Sequence, residues 1–174
     1  MAQPRRLFAA PPPMALAAHA GYCAYISTDE GTVAIRLRPG AAPVSVNNFI
    51  RLAREGYYDG LTIDRSCPDA ADPTCAGQFV ETGAAPGAGS GGPGYSIPRE
   101  AVKGDYLLGA VAMVSSGDSN SGSRFLISTG DSRALPKIHN LFGQVTDGIP
   151  TLALLRKGGR VNWITVLEAA GTTD

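Results

Sequence analysis

The chain has 174 residues and is 44% hydrophobic, enough for one domain with a sizeable core. Lys plus Arg and Asp plus Glu number 15 each, so the formal charge is zero and no basic stripe invites nucleic acid. Only 17% of residues are charged, below the roughly 25% of an average domain, and no apolar run approaches the about 20 residues of a membrane span.

At the N-terminus, Arg5 and Arg6 precede LFAAPPPMALAAHA, and Ala18-His19-Ala20 has the small-x-small form of a signal-peptidase site. Pro11-Pro12-Pro13 interrupts the helix such a signal needs, so residues 1–20 read as an extended arm, with a cleaved signal as the alternative. A domain over 21–170 and a tail over 171–174 complete the expected organisation. Tyr22–Thr28 and Thr32–Arg38 read as strands joined by the turn Asp29-Glu30-Gly31. Pro43 opens a helix whose apolar face is Val46, Phe49, Ile50 and Ala53, and Gly56 stops it.

Leu61–Cys67 and Gln78–Thr82 read as strands flanking an excursion rich in proline and aspartate, and Gly83–Gly94 as a loop of small residues. Further strands are expected at Gly109–Ser115, Ser123–Ser128, Asn140–Val145 and Arg160–Ala169, the last carrying Trp163. Asp147 is the expected cap of a short helix containing Pro150, Leu152 and Leu155. Turns from 22 Gly and 13 Pro fit the resulting fold class. That class is mainly β: a closed antiparallel barrel of about eight strands capped by two helices.

Three motifs are set aside. Gly87–Gly92 satisfies G-x-G-x-x-G, but Pro93-Gly94-Tyr95 follows where a dinucleotide site needs a helix. Asp118-Ser119-Asn120-Ser121-Gly122 starts like a calcium loop, with its glycine early and Thr129 in place of the closing glutamate. Cys67 and Cys75 have the wrong spacing for a zinc knuckle, and a Cys67/His139 nucleophilic pair lacks an orienting group. A Cys67–Cys75 disulfide is favoured over that pair, with the oxidation state of the two cysteines left open, and Cys23 reads as a buried small hydrophobe. No metal and no cofactor is expected. The compartment is left open, cytoplasmic slightly favoured, or extracytoplasmic if Cys67 and Cys75 are bridged.

Four pieces stand in a fixed order: GYYDGLTIDR (Gly56–Arg65), GSGGPGY (Gly89–Tyr95), GAVAMVSSGDSNSGSRFLI (Gly109–Ile127) and LPKIHNLFGQV (Leu135–Val145). Together they resemble the cyclophilin family of peptidyl-prolyl cis-trans isomerases, over about Tyr22 to Ala169. The resemblance implies the barrel and a catalytic arginine at Arg65, with Asp64 in place of the usual histidine. It also implies a proline pocket floored by Phe79 and lined by Val80, with Thr82 at the position of a glutamine that orients substrate and arginine. Ser115, Ser116, Arg124, Leu126, Ala134, Leu135 and His139 fall at further substrate-facing positions of the family pattern. Arg124 stands there for a glutamine and Leu126 for an aromatic. Ala134 stands where many members carry the tryptophan that grips cyclosporin, so weak cyclosporin binding is expected.

Rotation about an X-Pro bond faces a barrier near 20 kcal/mol, because the C–N bond has double-bond character. No bond breaks, so a fixed donor aimed at the proline nitrogen and an apolar grip on the ring suffice. The expected function is therefore X-Pro isomerisation in peptides and folding proteins by a monomer, weakened by Thr82 and by the Arg65/Arg124 charge pair. By strand alternation Glu81 points away from both arginines, so it offers them no compensation. The alternative is a non-catalytic module that binds proline-containing segments as holdase or scaffold. A small-ligand barrel leaves the four signatures unexplained.

Overall fold

A computed structural model of the chain describes residues 7–69, 71–85 and 92–169. Most of the Gly87–Gly92 run and the 171–174 tail lie outside the described residues. The elements run β1 (Gly21–Thr28), β2 (Gly31–Leu37), α1 (Pro43–Arg54), β3 (Ile63–Cys67), β4 (Phe79–Thr82) and β5 (Ile97–Pro98). β6 (Ala110–Ser116), β7 (Ser119–Ser128), β8 (Asn140–Asp147), α2 (Ile149–Leu154) and β9 (Val161–Ala169) follow.

The strands form one antiparallel sheet in the order β3-β4-β7-β6-β8-β2-β1-β9, with β5 added beside β7. The sheet curls until its two edges meet at a bridge between Thr62 and Arg160. Leu61 and Ile63 share backbone hydrogen bonds with Val161 and Gly159 at that seam, each 2.8 Å long. Inward residues of the curled sheet and the apolar face of α1 make the main core. Phe49 is its centre, with ring centroids 5.4, 5.4 and 5.2 Å from Tyr58, Phe125 and Phe142.

Helix α1 begins at Pro43 because proline there forfeits no hydrogen bond. No side chain of its own caps it. The Glu100 carboxylate does so instead, accepting the N–H of Val44 at 2.8 Å and of Ser45 at 2.9 Å. Two sequence expectations are corrected here. Gly148, in the left-handed region at φ 86°, and not Asp147, is the N-cap of α2. β7 starts at Ser119 and not Ser123, because Ser115 and Ser116 pair with Asn120 and Ser119 across a tight turn at Gly117-Asp118.

Residues 7–20 lie along the domain without regular structure. Asn47 of α1 holds them, accepting the Ala15 N–H and donating to the Pro13 carbonyl. At the far end Phe8 stacks edge-on to Tyr95, centroids 6.5 Å apart.

Candidate active site

The outward faces of β3, β4, β7 and β6 carry a second, smaller apolar cluster that includes Cys67, Phe79, Ala112, Val114, Leu126 and Leu135. A bulge in β3 decides what joins it. Ile63 pairs with Thr82, yet Arg65 pairs with Glu81 and Cys67 with Phe79, so β3 uses one extra residue between Ile63 and Arg65. In a regular strand without the bulge Arg65 would share the face of Ile63 and enter the main core, since strand faces repeat every two residues. With it, Arg65, Glu81, Leu126 and Ala112 form one cross-strand row on the outer face.

Phe79 lies two residues from Glu81, and the Arg65 guanidinium sits 5.3 Å above its ring centroid. Phe79 and Leu126 are each 2% exposed and Leu135 is 8% exposed. The cluster is therefore a packed apolar floor beneath a cation.

Glu81 is also only 2% exposed, and its carboxylate lies between two cations. It is hydrogen-bonded to Arg124 and stands 3.9 Å from Nη1 of Arg65. Such burial is tolerable for a carboxylate only when it is paired. The expectation that Glu81 points away is corrected, because the residues sharing a face of β4 are Phe79 and Glu81. By the same alternation Val80 and Thr82 face inward. Val80 belongs to the main core, and both line a small apolar cavity with Ile26, Ile63 and Phe125. The Thr82 hydroxyl donates to the Thr62 carbonyl at 2.7 Å. Thr82 is therefore not the group that meets the arginine, and the weakening expected from it has no structural basis. The polar group β4 brings to Arg65 is Glu81, and two-residue counting from Phe79 finds it in the sequence.

Asp64, next to the bulge, turns to the other side and accepts the Ala84 N–H at 3.2 Å. Burial raises its carboxyl above the usual range, against the lowering effects of that bond and of Arg124.

The excursion after β3 is closed by a Cys67–Cys75 disulfide with Cα atoms 5.5 Å apart. It returns two groups to the arginine that the sequence reading missed. Nε of Arg65 donates to Oδ2 of Asp72 at 2.5 Å, and Nη2 donates to Oγ1 of Thr74 at 2.5 Å. The Arg65 bond, with those from Thr74, holds the Asp72 carboxyl at about 2. Cys67, Asp72 and Cys75 are close enough to suggest a metal site, but the two sulfurs are bonded to each other.

His139 closes the other side. Its Nδ1 accepts the Ser115 backbone N–H at 3.0 Å, so the ring proton is on Nε2. Burial first, and the charge of Arg99 second, push its pKa down to about 4, so the ring is neutral at pH 7. The fully buried Tyr106 fixes the backbone there, its hydroxyl donating to the His139 carbonyl at 2.7 Å and accepting the His139 N–H at 3.1 Å. This clamp was not legible in the sequence, because Tyr106 lies 33 residues away. The Ser115 N–H is thus committed to His139. Ser116 enters through its backbone pairing with Ser119, and Ala134 is exposed beside Leu135.

Arg65, Phe79, Arg124, Leu126, Leu135 and His139 thus come to one side of the sheet, and Val80 and Thr82 do not. This arrangement has a fixed cation over an apolar floor and a neutral imidazole, but, among the described residues, no nucleophile aligned with a base. It can polarise and grip a ligand without breaking bonds.

A sequence model of the family described as cyclophilin type peptidyl-prolyl cis-trans isomerase/CLD matches residues 23–168. A peptidyl-prolyl cis-trans isomerase of Synechococcus elongatus is 33% identical over 150 residues, covering 84% of this chain and 97% of the relative. Peptidyl-prolyl cis-trans isomerase B of Bacillus subtilis is 38% identical over 128 residues, covering 72% and 83%. In fold, the chain is similar to a cyclophilin type isomerase of Cryptosporidium parvum, with a TM-score of 0.70 at 22% identity over 84% of this chain and 98% of that one.

Proposed function

The chain belongs to the cyclophilin-type peptidyl-prolyl cis-trans isomerase family, and from that premise we propose that Arg65 is the donor through which it accelerates X-Pro rotation. The chain acts as an isomerase on proline-containing peptides and proteins. The observation that carries the proposed role is the Arg65 guanidinium held 5.3 Å above the Phe79 ring. A proline ring packs on the rim of the cluster made by Phe79, Leu126 and Leu135. As its amide twists, resonance is lost and the nitrogen turns pyramidal and basic. An N–H of Arg65 then meets a lone pair that the planar ground state does not offer, so the contact favours the transition state over the substrate. His139, neutral and carrying its proton on Nε2, supplies a donor for the substrate backbone.

The like charges of Arg65 and Arg124 do not weaken this role, since Glu81 lies between them. Ala134 supports weak cyclosporin binding, because no large ring stands there. The Cys67–Cys75 bridge supports an oxidising, extracytoplasmic setting. Among the described residues no helix is long and apolar enough to cross a membrane. A single-chain enzyme is the working form.

The test is exchange of an Ala-Pro peptide followed by NMR, with the parent beside Arg65→Ala. The variant is expected to lose at least ~100-fold in kcat/KM, as when a transition-state donor is removed. Parent-like catalysis by the variant would remove Arg65 from the mechanism.

A further inference from the structure

Arginine is a good donor only when its fork is held still, because its free side chain samples many rotamers. In this chain the holding groups come from outside the sheet. Asp72 accepts the Nε–H and Thr74 accepts one Nη2–H, and both belong to the excursion closed by Cys67 and Cys75. The excursion is itself braced. Oδ1 of Asp72 accepts the Thr74 N–H at 2.9 Å and the Thr74 hydroxyl at 2.5 Å, and the Cys75 N–H reaches the Asp72 carbonyl at 3.2 Å.

We infer that Asp72 is a positioning residue for Arg65, and that the Cys67–Cys75 disulfide is the clasp that keeps it in place. This rests on the catalytic reading of Arg65. The clasp orients the arginine without consuming it. Of the five N–H groups of a guanidinium, Asp72 and Thr74 take two, so three have no hydrogen-bond partner among the described residues. Glu81, at 3.9 Å from Nη1, is too far to hydrogen-bond it. The side chain keeps 29% of its exposure and remains above the Phe79 ring, so its free N–H groups are reachable from the apolar floor. Asp72 approaches from the Nε edge and leaves most of the opposite fork open.

Chemical reduction of the clasp by a dithiol such as dithiothreitol is then coupled to catalysis. Two electrons and two protons from the dithiol convert the disulfide to two thiols while the dithiol becomes a cyclic disulfide. The excursion loses its closure and Asp72 its fixed distance from Arg65.

The experiment compares Ala-Pro exchange for the parent, Asp72→Ala, Asp72→Asn, the Cys67→Ser/Cys75→Ser pair and Arg65→Ala, each with and without dithiothreitol. Asp72→Ala is expected to lower kcat about tenfold with KM within twofold. Asp72→Asn, which keeps an acceptor, is expected to recover much of that loss. Dithiothreitol is expected to lower the parent to a similar extent and to leave Asp72→Ala and the double serine variant unchanged. The Arg65 Nε–H signal in the NMR spectrum is expected to be protected from exchange in the parent and to lose that protection in Asp72→Ala and on reduction. An unchanged kcat in Asp72→Ala, a rise in kcat, or an effect confined to KM each overturns the positioning role while Arg65→Ala still abolishes catalysis. Parent-like activity in Arg65→Ala overturns instead the catalytic reading on which the inference stands.

Discussion

Glu81 sets the electrostatics of the active face, because it is a nearly buried carboxylate with a cation on either side. Its burial would be costly alone, and the two arginines would repel each other without it. The arrangement is therefore one unit of three charges. His139 lies on the same face, and burial displaces its titration. Its pKa of about 4 in the fold lies below the ordinary value of 6.5, so the folded chain binds fewer protons than the unfolded chain between those values. Stability contributed by the neutral ring is thus fully present above about pH 6.5 and is lost as the pH falls toward 4. Allowing for partial solvent contact of the ring, the loss is about 2 kcal/mol. Urea midpoints of the parent and of His139→Asn, measured from pH 7 to pH 4, should converge as the pH falls. Parallel curves would show that His139 carries no such linkage.

Among the elements, α1 shows a dependence on distant chain. Its first N–H groups are satisfied by Glu100, 56 residues from Val44, and Ser45 Oγ donates to the same carboxylate at 2.6 Å. Asn140 braces Glu100 in turn, accepting its backbone N–H at 2.8 Å. Glu100→Ala is expected to lower stability by about 1–2 kcal/mol, the range for loss of a helix cap with its favourable dipole contact. A thermal midpoint within 1–2 °C of the parent's would show that water caps the helix equally well. What the sequence disclosed follows the same division. α1 was readable from Pro43, the spacing of its apolar residues and Gly56, and most strands from their apolar runs, because these signals are local. The Glu100 cap and the Tyr106 clamp on His139 join distant segments, so no local pattern reports them. Between these lies the bulge before Arg65. Alternation through a regular strand cannot count an inserted residue, and the facing of β4 was read one residue out of phase. A one-residue error exchanges both faces, which is why alternation turned Glu81 away from the arginines, while Thr82 was expected beside Arg65 from the family pattern alone.

Across the whole molecule one sheet serves two cores of different purpose. The inward cluster is the larger and is filled by α1, while the outward cluster lies under the cation and the imidazole. β4 divides strictly between them: Val80 and Thr82 face in, Phe79 and Glu81 face out. Gly83 holds β4 close to β7, for a Cβ there would lie 2.3 Å from the Ser123 carbonyl oxygen. Stability and catalysis should therefore be separable through residues that touch only the inner core. Phe49 is such a residue, fully buried and in ring contact with Tyr58, Phe125 and Phe142. Phe49→Leu removes ring contacts without introducing a polar group, and a loss of about 1–2 kcal/mol is expected in denaturant unfolding. Phe125 transmits any relaxation along β7 only as far as the backbone permits, because its neighbours Arg124 and Leu126 lie on the other face. At temperatures where the variant remains folded, its kcat/KM for an Ala-Pro peptide should stay within twofold of the parent's. A tenfold fall at full foldedness would mean that the two cores move together, and that the sheet transmits inner packing to the position of Arg65.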